Sequence, residues 1–190
     1  MEFLIFRSRP LADLEDYMQL GFSFDLSRCT GCMACVVACM DQNDLPADGP
    51  SFRQVTKLES GEYPSAQVHF VSLACFHCID APCLNVCPKK AIFRDSEWGA
   101  VHVDESLCIG CRACAMVCPF GAPRFNPGEK MSKCNFCIDR VDAGLDPACV
   151  HTCTTRALGF GPVEELNKAK AKKASVKILE GFISAGMKMP

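Results

Sequence analysis

The chain has 190 residues, 16 of them cysteine, about one in twelve and well above ordinary globular usage. Charged residues make up 22% and the formal net charge is −2, which excludes a disordered acidic chain and a nucleic-acid-binding polycation. The 49% hydrophobic content counts every cysteine, so if those serve as ligands the aliphatic core is thin and something else holds the fold.

In chain order, residues 1–21 read as an N-terminal extension. The apolar patch Phe3 to Phe6 is cut off by Arg7 and Arg9, too short for a signal peptide. Leu11, Leu14 and Met18, with acidic residues between them, predict a short amphipathic helix starting near Pro10. No apolar run reaches the roughly 18 residues of a membrane-spanning helix. The expectation is a cytoplasmic protein with no direct membrane span; export together with a folded, signal-bearing partner stays open.

The cysteines then arrive in four sets of four. Cys29, Cys32, Cys35 and Cys39 are spaced C-x2-C-x2-C-x3-C. Cys75, Cys78, Cys83 and Cys87 are spaced C-x2-C-x4-C-x3-C, and Pro88 follows. Cys108, Cys111, Cys114 and Cys118 repeat the first spacing and precede Pro119. Cys134, Cys137, Cys149 and Cys153 are spaced C-x2-C-x11-C-x3-C. Disulfide frameworks belong to small secreted domains. Structural zinc wants two C-x2-C pairs separated by a finger-length loop. Four cysteines within eleven residues fit neither; they fit the bacterial ferredoxin run. There, three thiolates on a tight loop wrap one [4Fe–4S] cube, and the fourth, a helical turn later, ligates a neighbouring cube. Gly31 and Gly110, each between the first two cysteines of its set, suit such a loop, and Pro88 and Pro119 stop the helix after the outgoing ligand.

Sets one and three are copies of one unit, Asp25–Cys35 aligning with Asp104–Cys114, which points to an internal duplication. Between Cys87 and Cys108, Ala91–Phe93 and Ala100–Val103 predict two short strands with a turn around Asp95–Gly99, the hairpin that joins the halves of a two-cluster ferredoxin. Sets two and three thus predict a contiguous unit over residues 66–126. Sets one and four then form a second unit, split between 22–65 and 127–161. With crossed fourth ligands the expected clusters are Cys29/Cys32/Cys35/Cys153, Cys39/Cys134/Cys137/Cys149, Cys75/Cys78/Cys83/Cys118 and Cys87/Cys108/Cys111/Cys114. A tandem pairing, one with two and three with four, is the rival. The gap between Cys39 and Cys75 shows no such simple hairpin, which favours nesting.

Residues 162–190 read as a C-terminal helix and tail. Pro162 opens the helix, with Glu164 and Glu165 early and Lys168, Lys170, Lys172 and Lys173 late, a polarity that complements the helix dipole. The tail Val176–Pro190 is too short to span a bilayer. The lysine run lacks aromatic interleaving and reads as a solvated helix face, not a nucleic-acid site. His77 and His151 read as packing or hydrogen-bonding residues, because all sixteen ligand positions are already cysteine, and Trp98 at the hairpin turn reads as a packing or interface residue. Lys89, Lys90, Arg112, Arg124, Lys130 and Lys133 lie near ligands in sequence; they read as a solvated face offsetting cluster charge, with potential tuning or docking as the functional alternative. Four sites near −2 each, added to the formal −2, bring the total to about −10.

The stretches Leu73–Pro88, Cys108–Phe125, Lys133–Cys137 and Ala148–Leu158 together resemble the four-cluster iron–sulfur subunits of dimethyl-sulfoxide-reductase-type enzymes, over about residues 22–161. The resemblance implies a non-catalytic electron-transfer subunit carrying four [4Fe–4S] clusters. It would wire a molybdenum- or tungsten-pterin catalytic subunit to a further electron donor or acceptor. Similar small subunits serve tungsten aldehyde oxidoreductases, so the partner's class stays open. The family's nested, crossed pairing agrees with the hairpin argument, and the expected fold class is α+β: two bacterial-ferredoxin-like units, one inserted in the other, with helical extensions at both ends. The sequence departs from anchored relatives in showing no C-terminal transmembrane helix. A free polyferredoxin that diffuses between enzymes is the alternative. No radical motif, P-loop or dinucleotide fingerprint supports a catalytic reading.

Overall fold

A computed structural model describes residues 18–125 and 130–184. The helix expected near Pro10 lies outside them except for Met18, which is exposed and not helical, and so does the tail beyond Ser184. Five of the six α-helices are short: α1 (Ala34–Gln42), α2 (Pro82–Asn85), α3 (Ala113–Val117), α4 (Ile138–Asp142) and α5 (Ala148–His151). Helices of four to nine residues do not stand alone in water, so tertiary packing must hold them. The strands form three antiparallel two-stranded sheets: β1 (Leu20–Phe24) with β6 (Leu158–Pro162), β2 (Gln54–Ser60) with β3 (Gln67–Leu73), and β4 (Ile92–Arg94) with β5 (Val101–Val103).

The β4–β5 hairpin falls within a residue of its expected strands, with Ile92 opposite Val103 and Asp95 N–H and Ala100 C=O closing the turn. β1 and β6 pair from Leu20 opposite Pro162 to Phe24 opposite Leu158, tying the segment that precedes set one to the segment that follows set four. Pro162 is the last residue of β6, so the helix expected from it, α6, runs Val163–Ser184 and continues through Val176. No residue of α6 is buried. Its first turn is held by the Val163 N–H donating to the Gln19 carbonyl, 2.9 Å, and an ion pair joins Lys173 to Asp25.

The gap between sets one and two corrects one expectation: it contains a hairpin after all. Seven pairs run from Gln54 opposite Leu73 to Ser60 opposite Gln67. Its strands carry Lys57, Glu59, Gln67 and His69 and are largely exposed, so neither presents the alternating buried face by which a strand is recognised. Only its base enters the protein, where Phe52, Arg53 and Ser72 are buried. The gap between Cys39 and Cys75 therefore gives no preference for nested over tandem pairing, and the pairing rests on where the cysteines lie.

The interior is built around sulfur. Cys39, Cys75 and Cys134 pack with Phe52 and Ala122; Cys114 packs with Ala81, Ile92, Val101 and Met131; Cys35 and Cys149 pack with Val150 and Leu158. A fourth cluster, Leu20, Ala100 and Phe136, contains no cysteine. It joins β1, the β4–β5 turn and the fourth cysteine set, and Phe136 meets Phe22 and Phe160 edge-on, centroids 5.2 Å apart in each case. The Trp98 indole N–H donates to Asp142 Oδ1 at 2.9 Å across the same joint.

Candidate metal centres

In each set the residue before the second cysteine has positive φ: Gly31 (71°), His77 (47°), Gly110 (67°) and Phe136 (65°). This left-handed position reverses the backbone so that two cysteines three apart face the same space. The duplication extends one residue past the second cysteine, where Met33 (63°) and Arg112 (64°) cap α1 and α3 in the same conformation. Where sets one and three use glycine, sets two and four carry rings instead. His77 and Phe136 stack on one another with centroids 3.6 Å apart, both fully buried. The same backbone device thus shapes the C-x-x-C loop in all four sets, and through His77 and Phe136 it joins the second set to the fourth.

Three cavities are each lined by four cysteines. One, of about 350 Å³, holds Cys87, Cys108, Cys111 and Cys114. A second, of about 410 Å³, holds Cys75, Cys78, Cys83 and Cys118. The third, of about 340 Å³, holds Cys29, Cys32, Cys35 and Cys153. The remaining four, Cys39, Cys134, Cys137 and Cys149, are all buried. Among them Cys39 interacts electrostatically with Cys149 and Cys137, and Cys137 with Cys149. The two long-range helix contacts match: α1 packs on α5, and α2 on α3.

These donors fit a cube better than a single ion. None of the sixteen cysteines is in a disulfide. Among the described residues no three His, Cys, Asp or Glu donors are close enough to hold one metal ion, as a zinc site with its 2.3 Å thiolate bonds requires. Each cavity instead brings four sulfurs around one space. Backbone N–H groups point at cysteine sulfurs: His77 to Cys75 at 3.4 Å, Met131 to Cys108 at 3.4 Å and Ala122 to Cys118 at 3.4 Å. Such donors favour thiolate over thiol and tune a bound cluster. Burial works the other way, pushing the Cys134 thiol up to about 12 and Cys39 and Cys114 up to about 11. Cys153 is lowered: although burial opposes it, N–H groups from Leu158, Ala157 and Thr155 and the Thr155 hydroxyl prevail.

Buried cations answer that negative charge. Lys133 is 5% exposed and lines the Cys75/Cys78/Cys83/Cys118 cavity, its ammonium donating to the carbonyls of Val101 and Cys134. It is no part of a solvated face, and the sequence expectation is corrected there. Lys89, Lys90, Arg112 and Lys130 are exposed, Arg112 lying over the Phe125 ring at 5.3 Å. Arg124 is half-buried and donates from Nε to the Ser51 carbonyl at 3.0 Å. Arg53 carried no sequence signal and is 2% exposed. His77 accepts the Val101 N–H on Nδ1 at 3.0 Å, and burial, with Lys133 adding, holds it well below its ordinary pKa. His151 is exposed.

Family comparison agrees with this chemistry. The 4Fe-4S dicluster domain matches residues 66–163, and a second 4Fe-4S dicluster domain matches 28–92. The protein belongs to this iron–sulfur family. It is 42% identical over 167 residues to the B subunit of the anaerobic dimethyl sulfoxide reductase of Escherichia coli (strain K12), a match covering 83% of this sequence and 80% of that one. It is 48% identical over 145 residues to the thiosulfate reductase electron transfer subunit PhsB of Salmonella typhi, covering 74% of each. Protein NrfC of Escherichia coli (strain K12) matches at 40% over 153 residues, 79% of this sequence and 68% of that one. With two dicluster domains and sixteen cysteines, the protein holds four [4Fe–4S] clusters.

Proposed function

We propose that this protein is the electron-transfer subunit of a reductase complex, wiring a molybdenum- or tungsten-pterin catalytic subunit to a second redox partner through a nested array of four clusters. Its relatives are named as subunits of dimethyl sulfoxide and thiosulfate reductases, one expressly as an electron transfer subunit. The four clusters are held by Cys29/Cys32/Cys35/Cys153, Cys39/Cys134/Cys137/Cys149, Cys75/Cys78/Cys83/Cys118 and Cys87/Cys108/Cys111/Cys114. Residues 66–126 form one two-cluster unit inserted in another made of 22–65 and 127–161. The observation that carries this pairing is the cavity in which Cys153 joins Cys29, Cys32 and Cys35 from the far end of the sequence.

When bound, each cube supplies one-electron transfer. The protein's own residues position and insulate. The packing of Cys39, Cys75 and Cys134 in one buried cluster supports a linear order in which the Cys39 and Cys75 sites are neighbours and the Cys32 and Cys111 sites are the ends. Cys32 and Cys111 are the exposed ligands among the sixteen. Exposed apolar side chains adjoin each, Met33 and Val37 at one end, Leu107, Ile109 and Met116 at the other, and suit docking of a partner at each end. Electron transfer needs no nucleophile or general base acting on a substrate. Among the described residues no helix is long and apolar enough to cross a membrane.

Native purification tests the role: a large pterin-containing subunit should elute with this protein, whereas elution as a lone carrier favours a free polyferredoxin. Ligand substitution tests the pairing. Cys153→Ser and Cys32→Ser should disturb the same electron paramagnetic resonance signal; a shared effect of Cys153→Ser and Cys134→Ser instead would overturn nesting.

A further inference from the structure

The base of the β2–β3 hairpin delivers a cation into the split unit. Arg53 is 2% exposed, and burial of a guanidinium is costly unless an anion answers it. Its Nη1 donates to Ser72 Oγ at 3.2 Å, and that hydroxyl lies 3.6 Å from Cys35 Sγ. The guanidinium carbon sits 4.8 Å from the centre of the Phe22 ring. Nε and Nη2 are buried with no nitrogen or oxygen partner, and the guanidinium leans instead on the Cys149 sulfur. Among the described residues no carboxylate pairs with Arg53. The negative groups that face it are cysteine sulfurs, Cys149, Cys134 and Cys35, with Cys39 and Cys137 also within its field. Arginine keeps its charge even when buried. Cys35 belongs to one ligand set of the split unit; the other four sulfurs belong to its second set.

We propose that Arg53 is a tuning residue that raises the reduction potentials of both clusters in the split unit, its buried Nε–H and Nη2–H serving the sulfur assembly. This rests on the four-cluster reading above. Reduction of a cluster adds one electron, delivered by the redox partner, and moves no proton, since Arg53 stays a cation throughout. A fixed positive charge in a low-dielectric interior lowers the energy of the more negative, reduced state. Ser72 carries part of this to the Cys35 site by orienting Nη1. The hairpin, whose strands bury almost nothing else, then has a task beyond joining two cysteine sets: it places Arg53 and Ser72 between them. The five sulfurs named above all belong to the split unit, so the inserted unit should feel this charge less.

The test is a redox titration of the purified complex, followed by electron paramagnetic resonance, for wild type, Arg53→Met, Arg53→Lys and Ser72→Ala. Iron and acid-labile sulfide are counted first: an iron-free wild-type protein refutes the cluster reading itself, whereas full iron with unmoved potentials refutes only the role of Arg53. In Arg53→Met two of four clusters should shift at least tenfold toward the oxidised form at fixed potential, about 59 mV for a one-electron couple. The other two should shift less. Arg53→Lys, which keeps the charge, should recover most of the shift. Ser72→Ala should lower one potential only and decides the matter if Arg53→Met fails to assemble. Equal shifts in all four clusters, or none in either Arg53→Met or Ser72→Ala, overturn the proposal.

Discussion

Gly31→Ala is the smallest change that sets the left-handed loop of the first cysteine set against its packing. At φ 71° alanine incurs the cost of a left-handed residue, about 1–2 kcal/mol. Its Cβ would also stand 2.4 Å from Cδ1, 2.5 Å from Cε1 and 2.7 Å from Cγ of Phe70, distances no real contact tolerates. Phe70 lies on β3 and is half-buried, so relief means moving a ring packed on the loop that lines the Cys29/Cys32/Cys35/Cys153 cavity, an overpacking cost of about 1–3 kcal/mol. Gly144→Ala is the control, because φ there is 73° and an added Cβ meets nothing within 4 Å. The excess of Gly31→Ala over Gly144→Ala is therefore the clash alone. Cluster loss is irreversible, so the suitable assay is the rate at which visible absorbance bleaches at fixed temperature. If the clash is released as the loop opens, Gly31→Ala should bleach about 5- to 150-fold faster than Gly144→Ala. Adding Phe70→Ala should remove the excess, giving a coupling of about 1–3 kcal/mol in the double-mutant cycle. Equal rates for the two glycine variants, or no coupling to Phe70, would refute the packing argument.

Two further outcomes follow from the same packing. Removing iron with a chelator under reducing conditions should abolish near-ultraviolet circular dichroism and broaden amide signals throughout, because three of the four core clusters are built on cysteine and the helices that carry them are too short to persist; a cooperative thermal transition in the iron-free protein would contradict this. Asp25→Asn should release α6, read as faster amide hydrogen exchange over 163–184 with cluster content unchanged. The Lys173 contact, with Ser27 adding, lowers the Asp25 carboxyl to about 2, so the pair is present above its ordinary value of 3.8 and opens only as pH falls through about 2; unchanged exchange in the variant at neutral pH would show that α6 does not depend on it.

Cysteine spacing made the metal chemistry legible because it is a short-range geometric constraint: three ligands on one tight loop can be recognised without knowing where the loop goes. The β4–β5 hairpin was legible for a similar reason, since Ile92, Val101 and Val103 are apolar positions bounded by the turn residues Asp95 and Gly99. The β2–β3 hairpin escaped because exposed strands carry no buried face to set a period. Arg53 escaped with it: a single arginine in Ser51-Phe52-Arg53-Gln54 looks like any surface residue until the hairpin turns it inward. Lys133 stands beside Cys134 in sequence, but nothing local marks it as buried, because lysine is rarely buried unless paired. One signal was available and unused. Aligning the four C-x-x-C loops puts Gly31, Gly110, His77 and Phe136 in one column, and two rings in a column of glycines mark the place where the two halves of the protein meet.

The most direct measurement of the central claim is the iron, acid-labile sulfide and zinc content of the anaerobically purified protein, together with the electrons it accepts on reductive titration. Four [4Fe–4S] clusters predict about sixteen iron and about sixteen sulfide per polypeptide, no stoichiometric zinc, and uptake of about four electrons. Stoichiometric zinc without sulfide, or no reducible centre, would contradict it.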